Sequence, residues 1–168
     1  AKTYEASGID ASKRTDATGV SGAVVDGGVC GTSGAWTGKV VLCKRGGQDA
    51  GGNNLTFFMK VKNVQTGGGV AAVIYNHSPG TFKGGFGQGE TSTIAAVTIP
   101  QADGEAILAN NLNQSIQVVS QVVKPASGYE SLAGTSMACP HVSGIAALIW
   151  SKNPAWTNVQ IREALEKT

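Results

Sequence analysis

Histidine is nearly absent: 168 residues carry only two, beside three cysteines and eleven acidic residues placed singly along the chain. No His, Cys and carboxylate cluster with metal-ligand spacing can be drawn from them, so no cofactor is evident. Charge is sparse as well. Charged residues make up 14% of the chain, the formal net charge is +2, and the basic residues form no patch. That distribution excludes the electrostatic footprint of a nucleic-acid or anionic-membrane partner. Apart from His141, the stretch Met137 to Trp150 has no ionisable charge, yet it is too short to span a bilayer. The glycine-rich run Gly84-Gly85-Phe86-Gly87-Gln88-Gly89 does not join a strand to a helix, and it reads as a mobile loop instead of a phosphate cradle.

Glycine is the abundant residue, 24 in all and concentrated before residue 105, where it separates short runs rich in Val, Ile and Thr. The pattern predicts short strands and tight turns. Strands are expected at residues 19–25, 38–43, 70–75 (buried) and 116–123. A helix over residues 55–66 follows from Phe57, Val61 and Val64 at helical spacing and stops at Gly67-Gly68-Gly69. A second, over residues 101–111 after Pro100, places Ala102, Ala106 and Ala109 on one face. Lys44 and Arg45 read as a solvated strand end, with a substrate contact as the other reading. Residues 1–124 are expected to form one unit, 125–128 a linker and 129–168 a second segment.

In that last segment, Gly134-Thr135-Ser136-Met137-Ala138-Cys139-Pro140-His141 sets a serine at the start of a helix. Gly134 allows a tight turn and Thr135 is placed to cap the helix. Ser136 then sits where free amides and the positive helix end stabilise a developing oxyanion. By periodicity alone the segment reads as a core helix, apolar all round and so buried all round. Thr157 with Gln160 forms a capping-box pattern, and Arg162 and Glu166 are an opposite-charge pair four apart, which predicts a surface helix. Trp150 and Trp156 read as packing residues.

Residues 134–144 resemble, nearly position for position, the active-site serine motif of subtilisin-like serine peptidases. The resemblance implies that Ser136 is the nucleophile, served by a histidine base and an orienting aspartate. It makes His141 a buried structural residue carried in addition to the catalytic histidine. His77, in Tyr75-Asn76-His77-Ser78-Pro79-Gly80, lacks the His-Gly-Thr-His setting of the family and reads as a solvated loop residue. Asp26, after Ala23-Val24-Val25 and before two glycines, has only a faint likeness to the family's aspartate strand end. In the family the order is aspartate, histidine, serine. The chain is therefore expected to be the back part of a longer enzyme, partnered by the N-terminal part of the catalytic domain and by protein or peptide substrates. Its opening without an initiator Met or a signal peptide agrees with that expectation.

The first unit resembles a protease-associated domain, the module inserted ahead of the serine motif in many large subtilases. The likeness rests on Gly38-Lys39-Val40-Val41-Leu42-Cys43-Lys44-Arg45-Gly46, the helix ending Asn63-Val64-Gln65-Thr66-Gly67-Gly68, Gly69-Val70-Ala71-Ala72-Val73-Ile74-Tyr75-Asn76 and Ile99-Pro100-Gln101-Ala102-Asp103-Gly104. The implied fold class is β-rich α/β: a strand core flanked by helices, followed by the serine helix and a surface helix of a subtilisin-like α/β core. Such domains carry no catalytic groups and bind, gate or restrict protein substrates. Calcium, which many relatives bind, would be held by parts of the enzyme outside these residues.

Because the peptidase family is mostly exported, the resemblance implies a secreted, extracellular protein in which Cys30 and Cys43 pair and Cys139 stays reduced inside the helix. Closing that loop contributes ~3 kcal/mol in the chain-entropy model. Three free thiols in a cytosolic protein is the alternative. The expected function is a share in a serine endopeptidase acting through an acyl-enzyme on Ser136, with the first unit modulating substrate access and the isolated chain inactive. The alternative is a non-catalytic polypeptide-binding module.

Overall fold

The computed structural model describes residues 2–121 and 134–167, which fall into two compact units divided between Val122 and Val123. The expected linker at 125–128 lies outside the described residues.

The first unit is built on one six-stranded sheet. Its strands are β1 (Ser7–Gly8), β2 (Val20–Asp26), β3 (Val40–Lys44), β4 (Ala71–Tyr75), β5 (Ala95–Ile99) and β6 (Ser115–Val118), in the spatial order β1-β5-β4-β3-β2-β6. The central four run parallel, and the two edge strands are antiparallel. Helix α1 (Phe57–Thr66) crosses from β3 to β4, and α2 (Gln101–Asn110) links β5 to β6.

A parallel sheet covered on both faces needs apolar residues at every position, and β4 and β5 are buried throughout. Alternation then sorts them into two cores. Val40, Leu42, Ala71, Val73, Tyr75, Val97 and Ile99 share one core with Ile107 of α2. Val41, Cys43, Ala72, Ile74 and Ala96 share the other with Val61 and Val64 of α1.

Helix α1 starts two residues later than its spacing predicts, because Thr56 is its cap: the Thr56 hydroxyl accepts from the Met59 N–H at 3.1 Å. In α2 the alanine face is not the one that packs on the sheet. Gly104 and Ile107 are buried while Ala102 and Ala109 are exposed. A Cβ on Gly104 would lie 2.2 Å from that of Tyr75, so the helix backbone rests on the sheet at a point where only glycine fits. Strand β5 has no counterpart among the expected strands, although Thr93–Ile99 has the β-branched composition of one. The expected strand over 116–123 is β6, ending at Val118, and positions 122 and 123 lie outside the described residues. The glycine-rich run at 84–89 is tied down in part: Gly84 is buried, and Phe86 meets Phe58 edge to face at 5.6 Å.

In the second unit, α3 (Thr135–Lys152) and α4 (Asn158–Glu166) pack together with Ile161 buried. The capping box at α4 is complete, with Gln160 Oε1 accepting from the Thr157 N–H at 2.8 Å, and Arg162 Nε donates to Glu166 Oε1 at 2.7 Å.

Candidate active site

Gly134 caps α3 in an extended conformation, and Thr135 is already the first helical residue, with no side-chain capping bond. The expected Thr135 cap is therefore corrected: a residue inside the helix cannot fold its hydroxyl back onto the amides of its own turn. Ser136 is the second helical residue and is exposed. Backbone bonds begin with the Met137 and Ala138 N–H groups donating to Gly134 O at 3.0 and 3.1 Å. This leaves the Thr135 and Ser136 amides without an acceptor among the described residues. The serine hydroxyl and two unused amides thus share one helix end, with the positive pole of the macrodipole beneath them. Pro140 sits within the first turns, where the missing amide would otherwise have reached the Ser136 carbonyl.

Three expectations about α3 are corrected. No residue of the helix is buried: Ile145 is 50% exposed and Leu148 71%. Cys139 is a free, exposed thiol instead of an interior one. His141 is exposed as well, with its Nδ1 2.7 Å from the Met137 carbonyl one turn back. The physical reason is common to all three. One short partner helix covers only a strip of a cylinder that is apolar all round. Trp150 and Trp156 are 49% and 38% exposed for the same reason.

Neither histidine is bonded to Ser136 among the described residues. His77 lies exposed in the loop after β4, its N–H donating to Asn76 Oδ1 at 3.0 Å. Asp26 ends β2 and accepts the Gly28 N–H at 2.8 Å, which shapes the turn that follows. Among the described residues no group of three or more His, Cys, Asp or Glu is placed to hold a metal ion.

In the first unit, Cys30 and Cys43 form a disulfide with their Cα atoms 5.5 Å apart, and both are buried. Beside it lies a group that the sequence patterns do not single out. Lys60 of α1 is fully buried, and its ammonium donates to the carbonyls of Val29, Lys44 and Gly46. Asn63, one turn on, donates to the Cys30 carbonyl at 3.0 Å. Two of the lysine's acceptors are thus immediate neighbours of the two cysteines. Burial lowers the Lys60 pKa from 10.5 to about 8, since removing an ammonium from water penalises its charged form. A signal for it exists: Lys60 lies three residues after Phe57 and four before Val64, on the apolar stripe itself.

The described residues thus form a disulfide-clamped α/β module and, in a separate unit, a helix that carries an exposed serine in its first turn. The comparisons with known proteins give the family. Residues 6–107 match the PA domain model and residues 101–168 the Subtilase family model. The chain belongs to the PA domain family over residues 6–107, and its last part, residues 101–168, is similar to the Subtilase family. Alkaline elastase YaB of Bacillus sp. (strain YaB) is 36% identical over 111 residues, covering 63% of this chain and 29% of its own length. The psychrophilic subtilisin-like protease Apa1 of Pseudoalteromonas sp. AS-11 aligns over 97% of this chain and 39% of its own, at 27% identity and a TM-score of 0.51. BSAP, a zinc aminopeptidase from Bacillus subtilis, aligns over 68% of this chain and 30% of its own, at 25% identity and a TM-score of 0.54. The chain therefore spans between about three tenths and two fifths of the length of these relatives.

Proposed function

We propose that these residues are part of a secreted serine endopeptidase in which Ser136 forms an acyl-enzyme and the PA unit modulates the access of protein substrates. The observation that carries the reading is the first turn of α3, where an exposed serine stands beside two amides without acceptors among the described residues. In the reaction, Ser136 Oγ attacks the scissile carbonyl carbon while a histidine takes its proton. The oxyanion that forms is stabilised by donors such as those amides, and collapse expels the amine as the histidine returns the proton to it. Water then hydrolyses the serine ester by the same path.

The base and its aspartate, on this reading, come from outside these 168 residues, since His141 is turned to its own helix and His77 lacks the His-Gly-Thr-His setting of the family. On this reading the chain by itself is inactive and serves as a polypeptide-binding module. Export is supported by the Cys30–Cys43 disulfide and by the protease relatives. No described helix is long and apolar enough to cross a membrane.

A fluorophosphonate probe followed by peptide mapping tests the assignment. The 168-residue chain should give no adduct, and a longer protein that supplies the base should be labelled at Ser136 and lose labelling in S136A. An adduct on the chain alone would place a working base within these residues and overturn the division of labour. Unchanged peptide hydrolysis in S136A of the longer protein would remove Ser136 as the nucleophile.

A further inference from the structure

The loops after β3 and β4 hold a guanidinium in place without giving it an anion. Arg45 follows β3, and its N–H donates to the Tyr75 carbonyl at 2.9 Å. Its guanidinium lies 4.6 Å from the centroid of the Phe82 ring and 6.0 Å from that of Phe57, and the two rings stack on each other at 5.8 Å. Nη1 donates to Asn76 Oδ1 at 3.1 Å. Asn76 is buried, and its orientation is set by three bonds: Oδ1 accepts from Arg45 and from the His77 N–H, and Nδ2 donates to the Gly80 carbonyl at 3.1 Å. The arginine is therefore fixed by stacking and by an acceptor that cannot turn.

A guanidinium has five N–H donors, and one is used here. The ion pairs among the described residues join Arg14 to Asp10, Arg162 to Glu166 and Lys167 to Glu163, and leave Arg45 without a carboxylate. The nearest carboxylates in sequence to the residues that hold Arg45 are turned to their own loops, Asp49 accepting from the Asn53 N–H and Glu90 from the Gly87 N–H, whereas Lys44, Lys62, His77 and Lys83 on the same stretches of chain are exposed. Half-buried and stacked, Arg45 has already lost much of the freedom that a carboxylate would otherwise have to freeze. Its place, beyond the carboxyl ends of parallel strands, is where open α/β sheets bind ligands.

We propose that Arg45 is a pre-positioned receptor for a carboxylate side chain of a polypeptide bound by the PA unit. The inference rests on the reading of that unit as one that engages polypeptides, and adds the chemistry it selects: a Glu or Asp presented to a planar fork that accepts it through two parallel bonds.

The test uses the whole 168-residue chain and two capped peptides, acetyl-Ala-Ala-Glu-Ala-Ala-amide and the same peptide with Gln for Glu, followed by the Arg45 Nε–H resonance in 15N spectra. The Glu peptide should shift that resonance saturably, and the Gln peptide should bind at least about tenfold more weakly, as loss of a charge-assisted fork requires. Arg45→Gln should bring the Glu peptide down to the level of the Gln peptide. Should that variant fail to fold, the two peptides on the unaltered chain still decide the matter. Equal binding of both would overturn the role of Arg45 and leave polypeptide engagement standing. Binding of neither would overturn both readings.

Discussion

The two units use similar residues to opposite ends. In the first, every position of β4 and β5 is buried, and the one lysine in the core has three carbonyls around its ammonium. In the second, an eighteen-residue helix richer in apolar residues than either PA helix has none of them buried. Apolar composition is therefore no measure of self-sufficiency. A sheet with a helix on each face closes its own core, whereas two helices leave most of their apolar surface in water. The first unit closes its own core, and the second does not.

Truncation of matched isoleucines is the most direct way to break that comparison. Ile74→Ala, in the fully buried strand, should cost about 2–5 kcal/mol in urea unfolding of the first unit. Ile145→Ala, on the exposed helix, should change the stability of this chain by less than about 0.5 kcal/mol. A large loss at Ile145 would show that α3 is covered after all. Reduction of the Cys30–Cys43 disulfide should lower the stability of the first unit by about 3 kcal/mol and leave the helicity of α3 and α4 unchanged. Denaturation with and without reductant, followed by near- and far-ultraviolet circular dichroism, would separate the two units.

Lys60 sharpens the contrast through pH. Its folded pKa, about 8, lies below its ordinary 10.5, so between those values the unfolded chain binds the proton more tightly than the folded one. The penalty for burying the charge is then fully present below pH 8 and is relieved as pH rises, so stability should increase across that window by at most about 3 kcal/mol. Lys60→Met should remove this slope, and a slope that survives in the variant would assign it to another group. The smallest effect is expected at α4. Thr157→Ala removes one arm of the capping box and should cost about 1 kcal/mol of local helix stability, read as faster amide exchange in its first turn.

Much of the fold is legible along the chain because the signals are local. Glycine punctuation bounds β2, β3 and β4, a helical stripe places α1, and Thr157 with Gln160 marks the start of α4 through residues only three apart. Other features escape a reading of neighbours. The alanines of α2 share a face, but nothing in their spacing shows that close approach of the backbone to Tyr75 puts Gly104 against the sheet. Arg45 has the pattern of a solvated strand end because nothing in sequence brings Phe57, Asn76 and Phe82 together. His141 and Cys139 keep apolar company on their helix, yet both are exposed, since company on a helix does not supply a covering layer.

The amino-acid order by itself determined the serine motif, the family likeness, the turns and the periods of the helices, because each of these depends on neighbours within a few positions. Only the tertiary structure decided which apolar surfaces are closed. It also brought the Lys60 ammonium to the residues beside both cysteines and left a stacked arginine without an anion among the described residues. Those features depend on groups far apart in the chain, and such groups meet only once the sheet has set the order of its strands.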